Sequence, residues 1–299
     1  MYKVIRRSSL WFILSGTLMV LSIAAIAIFG LRLGIDYKGG TVIEFRTDSA
    51  NKNSLTEEVL KENNLTGYQI KAGDKGAIIV RLPALTNEEH LTLSKGLTQK
   101  LGSYTEISYD TVGATISKDL INKSILAVIL SSLGIIFYIA YAFRKVPRPL
   151  SSWKFGASAV IALIHDLLIT TGIVAVIGHF VPWMEVDALF LTALLTIMGF
   201  SVHDTIVVYD RLRENFIKNP YQDLDVITEE SVNQTLVRSL NTSITVIMVL
   251  LSLFLLGGAS IKHFVLTLII GVFFGTYSSI FVASAIVARW HKKQTLKKA

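Results

Sequence analysis

Apolar positions gather into six runs of about twenty residues, the length a membrane helix needs. They are Leu10–Phe29, Ser124–Phe143, Phe155–Ile177, Val186–Val208, Leu236–Leu256 and Phe264–Ala288. At 1.5 Å per helical residue, each spans a hydrocarbon core of about 30 Å. The long polar stretch between the first two runs, Arg32–Asn122, has a different pattern. Thr41–Thr47 alternates and is rich in β-formers, which predicts a strand. Ser54–Asn64 reads as a helix whose Ser54 and Glu57 have capping-box spacing. Tyr68–Lys71 and Ala77–Leu82 read as a hairpin around Gly73-Asp-Lys-Gly76. Thr86–Leu101 reads as a second helix with Thr86 and Glu89 as its box, and Tyr104–Asp110 as a last strand. The order β-α-β-β-α-β is the split, ferredoxin-like arrangement.

The predicted fold is therefore an α-helical polytopic membrane protein. It has six transmembrane helices, with an α+β ferredoxin-like extracytoplasmic domain inserted between the first and second. The divisions fall at 1–30, 31–122, 123–288 and 289–299. Composition agrees: of 299 residues, 52% are hydrophobic and mean hydropathy is +0.54, which does not suit a soluble globular chain. The first run reads as a retained anchor, since it is long for a signal sequence and no small-x-small site precedes Leu31. The absence of cysteine excludes disulfide and thiolate chemistry.

The net charge of +7 is distributed by side. Lys3, Arg6 and Arg7 precede the first run. Arg144, Lys145, Arg148 and Lys154 fill the loop after the second, and Arg211, Arg213 and Lys218 follow the fourth. Arg289, Lys292, Lys293, Lys297 and Lys298 form the tail. The alternate loops, Gly178–Glu185 and Gly257–His263, carry only Lys262. The positive-inside rule then predicts that both termini are cytoplasmic. The charge orients the chain in a membrane and does not read as a nucleic-acid footprint.

Candidate chemistry lies in ionisable residues inside the apolar runs, which are costly unless they face a partner or a polar path. Asp204 stands about five residues, roughly 8 Å, before the apparent boundary at Tyr209, Asp210 and Arg211. Arg238 stands about a turn inside the start of the fifth run, so antiparallel packing would bring the two to a similar depth. One reading is a fixed ion pair, or Arg238 snorkelling to the interface. The other is a proton site whose affinity the arginine controls. His165 and Asp166 lie mid-run in the third, where either continues a polar path, with Asp166 a candidate for a direct proton role, or hydrogen-bonds a neighbouring helix. His203 adjoins Asp204 and reads equally well as a titrating group or a packing contact. Thr205, Asn241, Thr242 and Thr245 are candidate hydroxyl and amide neighbours. The histidines lack i, i+4 partners, so no metal site is expected. Gly271 and Gly275 form a GxxxG, extended by Ser278 and Ser279, that suits close helix approach within the chain or with a partner. In the insert, His90 is expected on a solvated helix face, and no catalytic constellation appears.

The insert is entered through Gly30-Leu-Arg-Leu-Gly-Ile-Asp-Tyr-Lys-Gly-Gly40 and left through Val112-Gly-Ala-Thr-Ile-Ser117. Gly34, Asp36, Gly39, Gly40 and Gly113 are read either as a helix stop or as a hinge. These motifs resemble those of the SecF family, the smaller membrane subunits of the SecD–SecF accessory complex of bacterial protein translocase. Gly34–Gly40 is similar to that family's G-I-D-F-x-G-G, with Tyr37 for phenylalanine. The exit is similar to V-G-P-x-V-G, departing at Ala114 and Ser117, and Ala162–Asp166 matches A-x-x-H-D. Gly199–Asn215 matches G-Y-S-x-N-D-T-I-V-V-F-D-R-I-R-E-N with His203 in place of asparagine, and Ser231–Thr242 matches S-x-N-Q-T-L-x-R-x-x-x-T. The resemblance covers essentially the whole chain.

It implies the resistance-nodulation-division superfamily and a proton-driven role in drawing exported polypeptide outward, with Asp204 and Arg238 serving proton transport. It further implies a SecD-like subunit supplying the other half of a twelve-span unit, a SecYEG-type channel, a multi-pass place in the bacterial plasma membrane among its lipids, and no cofactor. The competing expectations are a half-exporter of lipids or drugs, for which the insert is small, and a scaffold that moves no protons. Sodium in place of the proton is also compatible with the residues.

Overall fold

A computed structural model describes residues 2–49, 51–73, 76–144 and 151–295. Asp74 and Lys75 of the predicted hairpin, Lys145 and Arg148 of the basic loop, and Lys297 and Lys298 of the tail lie outside these residues, as do the side chains of Lys292 and Lys293. The chain divides into two compact units. One comprises Met1–Arg32, Leu126–Glu185 and Leu189–Ala299, and the other Leu33–Ile125 with Val186–Ala188.

After helix α1 (Ser8–Phe29), the second unit runs through a short helix α2 (Ile35–Lys38), β1 (Gly40–Thr47), α3 (Lys52–Glu62), β2 (Gln69–Ala72), β3 (Ile78–Leu82), α4 (Asn87–Leu101) and β4 (Tyr104–Val112). The sheet order is β2-β3-β1-β4, with every neighbour antiparallel. The β-α-β-β-α-β order is thus the one the sequence predicts. Alternation along β1 sends Ile43 and Phe45 into a core with Val59 and Leu60 of α3, Ile78 and Val80 of β3, and Leu93 and Leu97 of α4.

Two local expectations need correction. Ser54 is not a cap: α3 starts at Lys52, and the Ser54 hydroxyl donates to the Asn51 carbonyl (3.0 Å). Glu57 instead pairs with Lys61 (2.7 Å), and that ammonium holds its carboxyl below the usual range. His90 is half-buried, stacked on Tyr109 with centroids 3.8 Å apart and bonded to Glu106 (3.1 Å).

The Thr86–Glu89 capping box does form: Glu89 N–H donates to Thr86 Oγ1 (3.3 Å), and Thr86 N–H to Glu89 Oε2 (2.8 Å). These bonds from Thr86 hold the Glu89 carboxyl below its ordinary range. Its contribution to stability is therefore present above the unfolded value and lost as pH falls through the lowered one. Thr86→Ala is expected to cost about 1 kcal/mol, the usual worth of a cap, and hydrogen exchange in the first turn of α4 checks it.

The first unit is helical. To α1 it adds most of α5 (Ala114–Ala142), then α6 (Ser152–Phe180), α7 (Ala188–Lys218), α8 (Leu224–Leu256) and α9 (Lys262–Ser278). A π-turn, Ser279–Ala283, leads from α9 into α10 (Ser284–Thr295). Among the described residues six helices are long and apolar enough to cross a membrane, the sixth being Lys262–Trp290. Three outrun the predicted spans by ten residues or more at one end. α5 begins ten residues early, straight out of β4, and α7 continues to Lys218. Beyond the apolar run, Arg211–Glu214 (2.6 Å) and Lys218–Glu214 (2.7 Å) ion pairs support its last turns. α8 starts at Leu224, capped by Asp223 through the Asp225 N–H (3.1 Å).

That added start of α8 holds the chain's beginning. The Glu229 carboxylate accepts the backbone N–H groups of Val4, Ile5 and Arg6, and the Asn233 amide grips the backbone of Tyr2. α1 packs by small residues, burying Ser8, Ser15, Ser22 and Ala25. Gly172 of α6 meets Ser22 so closely that a Cβ there would stand 2.4 Å from the serine Cβ and 2.6 Å from its Cα.

Candidate functional site

A polar seam runs through the apolar interior of the helical unit, built from α6, α7, α8 and α9. Asp166 of α6 is fully buried. Its Oδ2 accepts hydrogen bonds from Ser201 of α7 and Ser278 of α9 (both 2.7 Å), and its Oδ1 lies 2.9 Å from His165 Nδ1. Next along the seam, Ser279 Oγ donates to the Ser201 carbonyl (3.0 Å) and shares a 2.8 Å hydrogen bond with Thr205 Oγ1. Asp204 follows, 2% exposed, facing the hydroxyls of Ser239 and Ser243 of α8 and Thr276 of α9. Ser243 and Thr276 bond each other at 2.5 Å.

The two aspartates are not equivalent. Asp166 accepts from two serine hydroxyls on other helices, with His165 Nδ1 beside it, and so ties α6, α7 and α9 together. Asp204 keeps its Oδ2 buried with no hydrogen bond, and the Ser239 Oγ facing it is also without one. An unmet buried polar group costs about 1–3 kcal/mol, so this pair is a high-energy point of the seam, as is His165 Nε2, also buried without a hydrogen bond.

Three features of the seam come from packing. The π-turn changes the helical register so that adjacent residues, Ser278 and Ser279, both point inward, and π-turns within α-helices recur at functional positions. The Ala283 carbonyl in that turn accepts from Tyr209 Oη (3.3 Å), which also lies 2.6 Å from Ser158 Oγ. Tyr209 is thus fully buried among the helices of this unit and not turned to its surface. The GxxxG is an internal contact. A Cβ at Gly271 would lie 2.1 Å from Ile197 Cδ1, and one at Gly275 3.0 Å from Ser201 Cβ, so small residues let α9 approach α7 at the seam.

Arg238 is not part of this cluster. Ser239 faces Asp204, and the next-door Arg238 is turned about 100° around the helix. It is exposed in a cleft of about 520 Å³ that it shares with Asp210, Arg211, Arg213 and Glu214. Among the described residues Arg238 and Asp204 form no ion pair within this chain. His203 also points outward and is exposed, and among the described residues Thr242 bonds the Arg238 carbonyl of its own helix (3.0 Å). Arg238, Asn241, Thr242 and Thr245 fall at i, i+3, i+4 and i+7, making a polar stripe along one face of α8. All but half-buried Thr242 are exposed.

At the entry to the sheet unit, Gly39 and Gly40 have φ of +74° and +125°, and a Cβ on Gly40 would stand 2.9 Å from the Leu82 carbonyl oxygen. Only glycine fits there. Gly34 and Gly113 have ordinary backbones, and Gly113 has open space around it. The Asp36 carboxylate accepts the Ala188 N–H at 2.9 Å.

The family described as protein export membrane protein SecD/SecF, C-terminal, matches residues 93–293, and the SecD/SecF GG motif matches residues 24–50. This chain belongs to the SecD/SecF family. Protein translocase subunit SecF of Thermobaculum terrenum is 40% identical over 99% of this chain and 96% of its own length. SecF of Synechocystis is 37% identical over 95% and 93%. SecDF of Thermus thermophilus is 32% identical over 96% of this chain, which spans only 38% of that longer protein. The crystal structure of that SecDF superposes with a TM-score of 0.81 at 30% identity, over 97% of this chain and 39% of the other. The chain is accordingly a multi-pass membrane protein of a protein-translocase family, and the segment that matches the GG motif is the one that carries Asp36, Gly39 and Gly40.

Proposed function

We propose that this chain is the SecF-type half of an accessory complex of the Sec translocase that uses the proton motive force to draw unfolded polypeptide across the plasma membrane. In this reading both termini are cytoplasmic. The sheet unit is a ferredoxin-like extracytoplasmic domain that handles the polypeptide as it leaves a SecYEG-type channel. Asp204 is the proton acceptor, with Ser239, Ser243 and Thr276 around it and Thr205, bonded to Ser279, next along the seam. A proton on Oδ2 lets the carboxyl donate to Ser239 Oγ, meeting both unpaired atoms at once. Asp166 positions α7 against α6 and α9.

The observation that carries this reading is the stripe of Arg238, Asn241, Thr242 and Thr245. An arginine facing lipid inside a span costs several kcal/mol, so the stripe calls for a polar partner. A SecD-like half fits, because a fused relative continues well beyond the length of this chain. Arg238 then approaches the proton path from the partner's side, and His203 lies on an outward face as well.

The chain has no cysteine, so single cysteines at Asn241 and Thr245 report contacts cleanly. Both are expected to crosslink to the SecD-like subunit in membranes, with cysteines at Leu126 and Ile129 on exposed α5 as controls. Crosslinking from α5 and none from α8 would put the partner elsewhere.

A further inference from the structure

We infer that Asp36 is a positioning residue that fastens the first turn of α7 to the sheet unit, so that displacement of that unit is delivered to the helix carrying Asp204. The inference rests on the proposed role of Asp204 for its consequence, but the fastening itself stands on contacts.

Four successive contacts run in parallel register. Arg32 Nε lies 3.7 Å from Glu185 Oε1, and Leu33 forms a parallel β-bridge with Val186. The Gly34 N–H donates to the Val186 carbonyl (2.9 Å), and the Asp36 Oδ2 accepts from the Ala188 N–H (2.9 Å). Ala188 is the first residue of α7, where backbone N–H groups have no intrahelical partner and the helix end favours an anion. Asp36 supplies both an acceptor and the negative charge. It does so from a different part of the chain, 152 residues away.

A second observation points the same way. Val186–Ala188 groups with the sheet unit, whereas Leu189 onward groups with the helices. The start of α7 is thus built into the sheet unit, though the rest of the helix is not. The path on either side is stiff. Asp36 sits in α2, closed by Lys38 N–H to Gly34 O (3.0 Å) and Gly39 N–H to Ile35 O (2.8 Å). Gly39 and Gly40 then pass directly into β1, paired on both edges. On the other side α7 is unbroken from Ala188 to Lys218, with no proline in it. Asp204 lies about 24 Å along it at 1.5 Å per residue. A pull on Ala188 therefore reaches the carboxylate through continuous helix.

The test uses the full chain with its SecD-like partner in membrane vesicles. Asp36→Ala is expected to speed hydrogen exchange in the first turn of α7 by about tenfold, with the sheet unaffected. It is expected to lower gradient-stimulated export by about tenfold, an ordinary size for coupling between sites. Asp36→Asn, which keeps an acceptor oxygen, is expected to restore most of both. Unchanged exchange in Asp36→Ala overturns the fastening. Unchanged export in Asp36→Ala alongside lost export in Asp204→Asn overturns the coupling alone. If Asp204→Asn also exports normally, the proton reading of Asp204 is what fails, and exchange still judges the fastening. A Leu33→Cys/Val186→Cys pair supplies an arm independent of Asp36. Oxidised, it is expected to leave export intact because these segments stay together. Export lost on oxidation and regained on reduction would show that they separate, and would overturn the inference.

Discussion

Asp204→Asn is expected to leave the complex assembled and abolish the part of export that depends on the proton gradient. Asparagine matches aspartate in size, and its Nδ2 can donate to Ser239 Oγ, so the seam gains a hydrogen bond and loses a proton carrier. The size of the loss follows from the driving force. One charge moved through 100 mV is worth about 2.3 kcal/mol, which is about fiftyfold in an equilibrium constant at 1.36 kcal/mol per decade. Precursor export into inverted vesicles, with and without an uncoupler, measures it directly. A variant that assembles and remains fully sensitive to the uncoupler would leave Asp204 a packing residue.

The largest expected effect on stability is at Gly172→Val. A Cβ at that position falls 2.6 Å from the Cα of Ser22, a backbone atom that no rotamer change can move aside. α1 must therefore separate from α6, at a cost of about 3 kcal/mol, the upper end of ordinary overpacking. Gly134→Val is the control, because nothing lies within 4 Å of a Cβ built there. Thermal unfolding of the purified complex should fall steeply for the first and little for the second. Similar melting of the two would mean that α1 is not held by this contact.

Several features were legible without coordinates because they are local. The capping box at Thr86 and Glu89 needs only four consecutive residues, and the six spans need only length and hydropathy. The strand alternation in Thr41–Thr47 carries its own core face. Gly39 and Gly40 could be suspected of special backbone, although Gly34 in the same motif and Gly113 in the exit motif turned out ordinary. Ser54 misled because Lys52 and Asn53 before it extend the helix by two positions. Tyr209 could be placed along its helix from sequence, but only packing turns its hydroxyl inward to Ser158 and the Ala283 carbonyl. Gly172 gave no local signal of its own. Its trace was in the partner helix, where Ser8, Ser15 and Ser22 recur every seven residues.

The sequence by itself determined which segments enter the membrane, the order of strands and helices in the insert, and which ionisable residues are too costly to sit there idly. Those properties follow from burial energies and backbone preferences that a short window already contains. Which aspartate is tied down and which is left with an unmet oxygen was decided only by the packing of α6, α7, α8 and α9, and so was the outward turn of Arg238. A helix places neighbouring residues about 100° apart. Depth along the helix can therefore be counted from sequence, but the direction a side chain faces is settled only when other helices claim the remaining faces.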